Sequence, residues 1–241
     1  MASIRDVFGG VLAKLGVHDL SVVSTRELAP RFVLLELQGE SLKGTSCAAG
    51  DKLQLMVGQG ARTYSPFAFD GERGTLSLLA FVHGDAPGSL WAKGARADDK
   101  IRVFGPRGSI AFSGLPSPVV LFGDETSFGC ARALLDAQAD TGTSGSSFVF
   151  ETGELAAATT ALAQVGIERA QLVPRRTDDA HLQEVEQRLA AALALSPHAS
   201  LVLTGRAPAI QRLRTSLKAR GLTMPKTKAK AYWAPGKRGL D

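Results

Sequence analysis

The stretch ARTYSPFAF, residues 61–69, combines a strand pattern with side chains that a purely structural strand does not need. Arg62 and Tyr64 share one face of a strand, because strand side chains alternate with a period of two. Ser65 follows directly, and Pro66 breaks the hydrogen-bonding ladder of any strand that continues through it. The pattern predicts a short strand that presents a cation, an aromatic ring and a hydroxyl group side by side.

Short strand-like runs surround this stretch over residues 17–113. The clearest are RFVLLEL (31–37), KLQLMV (52–57), RTYS (62–65), TLSLLAFV (75–82) and KIRVFG (100–105). Glycine-rich turns separate them, which is typical of a small antiparallel barrel. One helical pattern, SLWAKGA (89–95), interrupts the runs, and apolar residues at helical spacing predict an amphipathic helix over 4–15.

Beyond SGLPSP (113–118), which has the composition of a linker, apolar runs alternate with helical patterns. The runs are VVLFG (119–123), SFVFE (147–151), AQLVP (170–174), SLVLTG (200–205) and, as a candidate fifth strand, KAKAYW (228–233). The helical patterns cover 126–139, 154–165, 179–195 and 206–220. This alternation predicts a doubly wound α/β domain. We therefore expect a two-domain α+β protein, with an antiparallel β-barrel domain over 1–115 and an α/β domain over 116–241.

Composition limits the classes of function. The 241 residues are 44% hydrophobic and 21% charged, which is typical of a soluble globular protein. The first residues lack the pattern of a signal peptide, and no apolar run is long enough to span a membrane. Two cysteines, Cys47 and Cys130, are too few for an iron–sulfur cluster and lack zinc-site spacing. We expect no metal site in the chain, so any redox chemistry requires an organic cofactor.

The net charge of +5 is unevenly distributed. Residues 206–241 carry ten lysines and arginines but one acid, whereas the remaining residues carry 18 basic and 22 acidic side chains. A basic end on an acidic body indicates an anionic partner for that end. A solvated basic helix and tail explains the same distribution equally well.

The predicted α/β domain has one region suited to a ligand. Ligands bind such domains at the carboxyl ends of the strands, where the strand order reverses. GDET (123–126) and TGR (204–206) both lie there, and both open helices whose free N–H groups suit a phosphate. Asp124 and Glu125 would repel a pyrophosphate, so the alternatives are a helix cap and a favourable first-turn charge. Thr126 still offers a hydroxyl and an N–H, although no glycine-rich dinucleotide motif is present.

The barrel half suits a cofactor that combines a diphosphate with a flat ring, as a flavin does. Arg62 can pair with the phosphate, Tyr64 can lie against the ring, and Ser65 can reach a ring nitrogen. HGDAPGSLWA (83–92) predicts a second phosphate site at the start of a short helix.

In this second site Gly88 and Ser89 open the helix, and His83 can hydrogen-bond the same phosphate. An ordinary surface histidine is the alternative for His83. Arg107, on the turn GPRG (105–108), either faces the ligand cleft that we expect between the two predicted domains or is an ordinary exposed turn residue.

These residues resemble a known family. RTYS is similar to the Arg-x-Tyr-Ser/Thr flavin motif of ferredoxin–NADP reductase-like proteins. Together with FVHGDAPGSLWA, FGPRGS, GDET and AYWAPGKRGL, it resembles the siderophore-interacting proteins, which are cytoplasmic FAD-containing ferric-siderophore reductases. The resemblance runs in order over residues 20–241. It implies an FAD-binding barrel followed by an NAD(P)H-binding α/β domain.

The resemblance also implies the roles of individual residues. The implied flavin ligands are Arg62, Thr63, Tyr64 and Ser65, with Tyr64 and Ser65 as the catalytic pair, and His83, Gly88 and Ser89 at the pyrophosphate. The implied nicotinamide-nucleotide site comprises Asp124, Glu125, Thr126, Thr204, Gly205 and Arg206, with Tyr232 and Trp233 near the nicotinamide side of the flavin. From their charge and position we predict the substrate residues Lys52, Arg107, Lys237 and Arg238.

Two departures from the family pattern affect the substrate and nucleotide sites. Ser127, Phe128 and Gly129 follow GDET where the family usually continues toward a proline. Gln54 stands where many members carry a siderophore-binding lysine, with Lys52 two residues earlier on the same face. The sequence therefore leaves the siderophore type, and siderophore use itself, undecided.

The predicted reaction is the reduction of a ferric siderophore by NADH or NADPH through FAD, which releases Fe(II). The basic tail, with Lys226, Lys228, Lys230, Lys237 and Arg238, and Arg107 would attract an anionic chelate. Glu151 ends the second α/β strand, where an acid holds the ribose diol of NADH. Arg175 and Arg176 end the third strand and suit the 2′-phosphate of NADPH, so both donors remain open.

Two alternatives compete with this function. A general flavin reductase that passes electrons to another acceptor shares every cofactor motif. A non-catalytic protein could bind nucleic acid through its basic tail and stack Tyr232 and Trp233 on bases, but this leaves RTYS and HGDAPGS unexplained. We expect a cytoplasmic monomer without nucleic-acid or membrane partners.

Overall fold

A computed structural model of the chain describes residues 16–58, 60–115, 117–222 and 226–237. They form two compact units, the first ending at Ala111 and the second beginning at Phe112. The helix predicted over 4–15 and the substrate residue Arg238 lie outside the described residues. Within the described residues, the structure contains no helix with both the length and the apolar character needed to cross a membrane.

The first unit contains a seven-stranded antiparallel sheet and one α-helix. Its elements are β1 (Val17–Ala29), β2 (Phe32–Gln38), a 3-10 turn (Glu40–Leu42), β3 (Lys52–Val57), β4 (Gly60–Tyr64), β5 (Phe67–Asp70), β6 (Thr75–Phe81), α1 (Pro87–Gly94) and β7 (Lys100–Arg107). The strand order is β4-β3-β7-β1-β2-β6-β5. The five predicted strand runs and the interrupting helix are confirmed, while β1 and β5 are additional strands.

The two edge strands of this sheet are consecutive in the sequence. Strands β4 and β5 lie at opposite ends of the strand order, yet only Ser65 and Pro66 connect them. Three Cα–Cα steps span at most about 11 Å, whereas the edges of a flat seven-stranded sheet would lie about 29 Å apart. The sheet must therefore roll up until its edges meet at Ser65–Pro66, and the predicted antiparallel barrel is confirmed.

The alternating pattern of the strands explains the core of the first unit. Leu35 and Leu37 of β2 are fully buried, as are Leu53 and Leu55 of β3. Burial of each such side chain contributes about 1.5–3 kcal/mol relative to an exposed position. Ala92 of α1 joins the same core, so the helix packs over it.

The second unit contains a five-stranded parallel sheet with helices between its strands. Its elements are β8 (Val119–Gly123), a 3-10 turn (Glu125–Ser127), α2 (Phe128–Asp140), β9 (Ser147–Thr152), α3 (Leu155–Gln164), β10 (Gln171–Pro174), α4 (Leu182–Leu195), β11 (Ser200–Arg206), α5 (Ala207–Ala219) and β12 (Thr227–Trp233). The strand order is β10-β9-β8-β11-β12. The predicted α/β fold and its fifth strand are confirmed.

The strand order of the second unit reverses beside β8. The chain moves outward from β8 through β9 to β10, and then returns to place β11 on the other side of β8. Helices cover both faces: Val120 and Phe122 pack with residues of α4 and α5, while Phe128 of α2 contacts Phe150 with ring centroids 4.8 Å apart. The segments that follow β8 and β11 therefore lie side by side at the reversal.

Candidate functional site

Strand β4 presents Arg62 and Tyr64 on one face, as the sequence predicts. In the antiparallel register Arg62 lies opposite Leu55 and Tyr64 lies opposite Leu53, and directly paired residues point to the same face. Tyr64 packs against the core of the first unit. Burial raises the pKa of its phenol to about 12, so the side chain is a neutral aromatic group at physiological pH.

Helix α1 begins directly against these two side chains. A Cβ atom at Gly88 would lie 3.0 Å from Cγ of Arg62 and 3.1 Å from the hydroxyl oxygen of Tyr64. Any other residue at this position would crowd both side chains. Two motifs that are separate in sequence, RTYS and HGDAPGS, therefore meet at one place in the first unit.

The start of α1 is suited to an anion. Ala86 occupies the N-cap position without a side-chain capping bond, and Pro87 is the first helical residue. Such a helix start carries unsatisfied N–H groups and a partial positive charge. Nη1 of Arg62 donates to the neighbouring Ala61 carbonyl at 2.7 Å, and no carboxylate among the described residues pairs with this guanidinium. The Arg62 guanidinium and the start of α1 thus lie together, and no acidic side chain among the described residues neutralises them.

Ser89 fixes the loop that leads into α1. Its hydroxyl oxygen accepts the backbone N–H of His83 at 2.9 Å and donates to the His83 carbonyl at 3.1 Å. The Ser89 side chain is buried, whereas His83 is exposed. The hydroxyl therefore positions the loop that leads into α1.

The other two residues of the flavin motif differ in position. Thr63 lies opposite Gln54 on the face that Arg62 and Tyr64 do not share, and it is exposed. Ser65 is partly exposed and belongs to the two-residue connection that closes the barrel. Ser65 thus lies next to Tyr64 at the point where β4 ends.

Lys52, Gln54 and Arg107 form a separate cluster on the other face of β3. Lys52 lies opposite Arg107 in the β3–β7 ladder, and the Arg107 guanidinium donates to the Gln54 side-chain carbonyl. The same guanidinium lies 4.7 Å from the centroid of the Phe104 ring. Lys52 is only 6% exposed. Two of the predicted substrate residues are therefore held within the first unit, one of them by the atypical Gln54.

Asp124 joins three segments at the carboxyl edge of the parallel sheet. Its Oδ1 accepts the Thr126 N–H at 2.9 Å and the Thr126 hydroxyl at 2.5 Å, and its Oδ2 accepts the indole N–H of Trp233 at 2.7 Å. A Cβ atom at Gly205 would lie 2.6 Å from this carboxylate. Burial raises the pKa of Asp124 to about 6. Asp124 therefore caps the 3-10 turn and anchors the indole at the end of β12.

Glu125 connects the carboxyl ends of β8, β9 and β10. Its Oε1 accepts the backbone N–H of Gly153 at 2.7 Å, and its Oε2 accepts a hydrogen bond from Arg175 at 2.5 Å. The carboxylate is buried. Glu125 therefore stabilises the edge of the sheet through these bonds.

Thr204 and Arg206, from the end of β11, are also bonded inside the second unit. The Thr204 hydroxyl lies 2.9 Å from the Phe122 carbonyl oxygen and from the Ser127 hydroxyl. Nε of Arg206 donates to Glu151 at 3.0 Å. Both side chains are buried, so this segment offers a ligand mainly its backbone.

His181 is a central residue of this edge that sequence reasoning missed. Its Nδ1 accepts the backbone N–H of Arg176 at 3.2 Å, and its Nε2 lies 2.6 Å from Oε2 of Glu151. Because Nδ1 accepts, Nε2 carries the proton and donates to Glu151. The contact joins positions 30 apart in the sequence, and no local pattern signals it.

The remaining predicted residues lie at the end of the described chain. Tyr232 and Trp233 complete β12, both partly exposed, and Lys237 is exposed beyond it. Within the described ranges, no three histidine, cysteine, aspartate or glutamate side chains come together as a metal site.

The sequence of the first unit matches a family model. Residues 58–110 match the siderophore-interacting FAD-binding domain, and this range includes the flavin motif, the loop into α1 and the GPRG turn. The resemblance predicted from the motifs is thereby confirmed for this range. No curated protein matches the chain in sequence.

Solved structures share the fold over most of the chain. A siderophore utilization protein from T. fusca superposes with a TM-score of 0.68 at 24% identity, covering 93% of this chain and 95% of that one. The siderophore-interacting protein SipS from Aeromonas hydrophila gives 0.74 at 16% identity, covering 92% and 93%. The ferredoxin reductase in carbazole 1,9a-dioxygenase gives 0.73 at 16% identity, covering 90% and 69%. The barrel and α/β units thus have the fold of ferredoxin reductase-like proteins, and with the family match they support a flavin-dependent oxidoreductase.

Proposed function

We propose that the chain is an FAD-dependent reductase that uses NADH or NADPH to reduce a ferric siderophore or a related ferric chelate. The observation that carries this proposal is the meeting of Arg62, Tyr64 and Gly88 in the first unit. The family match over residues 58–110 supports the cofactor.

The residues around Gly88 fit FAD in charge and in shape. Arg62 and the N–H groups at the start of α1 supply positive charge for the pyrophosphate. Tyr64 supplies a neutral flat surface for the ring system, and Ser65 adds a hydroxyl next to it. Gly88 lets the start of the helix pack closely against Arg62 and Tyr64, because a Cβ atom there would lie within 3.1 Å of both side chains.

Bound FAD would supply the redox chemistry, namely two-electron acceptance from the nicotinamide as hydride and one-electron reduction of each of two Fe(III) ions. The chain binds and orients the reactants. Asp124 fixes Thr126 and Trp233 at the sheet edge where the nicotinamide nucleotide is expected. Hard oxygen chelators hold Fe(II) less tightly than Fe(III), so reduction releases the metal.

The basic end of the chain suits an anionic substrate. Lys228 and Lys230 lie on β12, and Lys237 is exposed beyond it. Exposed positive charge raises the local concentration of anions and the rate of their encounter with the protein. Tricarboxylate and catecholate chelates of Fe(III) carry negative charge, so we propose this segment as the capture surface.

A general flavin reductase is the second candidate. It is favoured by the bond between Gln54 and Arg107 and by the burial of Lys52, because these contacts leave the β3 cluster little free charge for a chelate. The cytoplasmic location, the monomeric state and the lack of a nucleic-acid partner stay predictions under either candidate.

The visible spectrum of the purified chain tests the proposal. After incubation with FAD and removal of the excess, we expect flavin absorbance that NADH or NADPH bleaches without oxygen. Addition of a ferric siderophore should restore the colour, with Fe(II) trapped by a colorimetric chelator. Recovery with a dye but with no ferric chelate would favour the general flavin reductase, and failure to retain or reduce FAD would exclude both candidates.

A further inference from the structure

The acid at the usual position for recognising NADH is buried in this chain and bonded to other side chains. In dinucleotide-binding domains an acid at the end of the second strand holds the ribose diol. Glu151 has that position on β9, and it is 0% exposed. Its Oε1 accepts Nε of Arg206 at 3.0 Å, and its Oε2 accepts Nε2 of His181 at 2.6 Å. Glu151 therefore has neither the access nor the free oxygen atoms that a diol requires.

Arg175, the first of the two arginines after β10, is also occupied. Its Nη2 donates to Oε2 of Glu125 at 2.5 Å, and its Nε lies 3.6 Å from Oε1 of Glu151. Charge from these two acids raises the pKa of Arg175 against the opposing effect of burial, which is the largest single influence. Arg175 thus neutralises two buried acids and stays charged.

Arg176 is the exposed member of the pair. Its backbone is fixed on both sides: its N–H donates to Nδ1 of His181 at 3.2 Å, and its carbonyl accepts the N–H of Asp179 at 3.2 Å. Its side chain is exposed, and within the described residues its guanidinium has no hydrogen bond or ion pair. A tight turn therefore holds a solvent-facing cation at the carboxyl end of β10.

We infer that Arg176 recognises the 2′-phosphate of NADPH and makes NADPH the preferred donor over NADH, an inference that rests on the proposed function. A guanidinium pairs with a phosphate monoester through two parallel hydrogen bonds, whereas it gains no charge pairing from a ribose diol. The position of Arg176 agrees with a general rule for dinucleotide-binding domains. In domains that bind NADP, an arginine near the position of the diol-binding acid accommodates the 2′-phosphate.

The buried acid then has a positioning role. Glu151 binds His181, and His181 binds the backbone N–H of Arg176. The residue that would hold the diol of NADH instead fixes the turn that presents a cation to NADPH. The buried position of Glu151 therefore disfavours NADH, and the turn that it stabilises favours NADPH.

Calorimetric titration with adenosine 2′,5′-bisphosphate and with AMP tests the inference, since the two ligands differ only in the 2′-phosphate. The FAD-loaded full-length chain should bind the bisphosphate about tenfold to a hundredfold more tightly, as expected for a charge-assisted hydrogen-bonded pair. Arg176→Ala should remove most of that difference and leave AMP binding unchanged. Arg176→Lys, which keeps the charge but not the paired donors, should retain part of it.

Arg169→Ala is the matched control. Arg169 is exposed and precedes β10 at its opposite end, so the variant changes net charge equally without touching the turn. It should keep the full preference for the bisphosphate. Circular dichroism and the thermal midpoint should match among the variants, because both arginines lie on the surface.

The outcomes separate the inference from the proposed function. Equal binding of the two ligands, an unchanged preference in Arg176→Ala, or inorganic phosphate binding as tightly as the bisphosphate would overturn the inference. If NADH or NADPH still bleaches the bound flavin in those cases, the proposed function stands. If neither nucleotide binds or bleaches the flavin, both are overturned.

Discussion

The two candidate sites use charged residues in opposite ways. At the carboxyl edge of the parallel sheet, Glu125 pairs with Arg175 and Glu151 pairs with Arg206, all within one unit. In the barrel, Arg62 bonds to the carbonyl of its neighbour Ala61 and pairs with no acid of the described chain. Residues of the same chemical type therefore stabilise the protein at one site and remain available to a ligand at the other.

Burial explains the difference. A charge inside a protein requires a partner, because desolvation costs several kcal/mol per ion. Strands covered on both faces bury their terminal residues, so the acids and arginines there neutralise one another. Among the described residues no acid pairs with Arg62 at the start of α1, so positive charge remains there for an anion. Four predictions test this contrast, in order of decreasing effect.

Loss of Arg206 should cause the largest effect. Arg206→Ala leaves the buried Glu151 with only part of its compensating charge, and breaking such a pair costs about 3–5 kcal/mol. We expect that loss in the free energy of unfolding measured by urea denaturation. Arg214→Ala, which removes an exposed arginine of α5, should change stability by less than about 0.5 kcal/mol. Equal stability of the two variants would show that the network contributes nothing.

The buried carboxyl of Asp124 should make stability depend on pH. Burial raises its pKa to about 6, from an unfolded value near 4, so the folded protein holds the proton more tightly. Its contribution is therefore present below about pH 4 and is lost as pH rises through about 6. Relative to Asp124→Asn, the wild type should lose about 2 kcal/mol between pH 4 and pH 7.

Urea denaturation at several pH values measures this difference. The comparison with Asp124→Asn removes the contributions of other titrating groups, which both proteins share. Parallel stability curves for the two proteins would mean that the carboxyl titrates in the folded chain as it does in the unfolded one.

Arg62→Ala should weaken FAD binding with little effect on the apoprotein. The loss of one charge-assisted contact to the pyrophosphate predicts a Kd about tenfold to a hundredfold higher. Because Arg62 pairs with no acid in the part of the chain that the structure describes, the unfolding free energy of the apoprotein should change by less than about 0.5 kcal/mol. Quenching of flavin fluorescence measures the Kd.

Lys93→Ala is the control for Arg62, since it removes an exposed cation from the other end of α1. It should leave the FAD Kd unchanged. A large loss of apoprotein stability in Arg62→Ala would contradict the contrast between the two sites.

Charge reversal at Lys237 should have the smallest effect. Lys237→Glu is expected to raise KM for an anionic ferric chelate about two- to threefold at low ionic strength, because exposed charges act weakly and are screened by salt. The difference from wild type should vanish near 0.5 M salt. Unchanged kinetics of Lys237→Glu at low ionic strength would show that this lysine has no role in substrate capture.

Local patterns predict much of this fold. The alternation in RTYS places Arg62 and Tyr64 on one face, and the register confirms it. The uninterrupted apolar run of β8 predicts a strand buried on both sides, and all five of its residues are buried. These features depend on neighbours in the sequence, which is why period and composition suffice.

Long-range contacts set the rest. Whether the Glu125 carboxylate faces a ligand or a partner depends on Arg175, which lies 50 residues later. The bond between Gln54 and Arg107 likewise depends on the pairing of β3 with β7. Sequence motifs indicate which residues gather at the sheet edge, but only the assembled strands show which side chains are already bonded. The cofactor roles of Arg62, Tyr64, Gly88 and the other site residues stay predictions.

The barrel closes where Ser65–Pro66 connects its two edge strands. Strands β4 and β5 are each laddered to a single neighbour, so the barrel has a seam where local opening costs fewer hydrogen bonds than elsewhere. Arg62 and Tyr64 lie on one strand of that seam. We expect a molecule bound there to stabilise the two edge strands against local opening. Its addition should slow amide exchange in β4 and β5 more than in β1 or β2. We therefore expect release of a ligand held by β4 to be coupled to local opening of the seam.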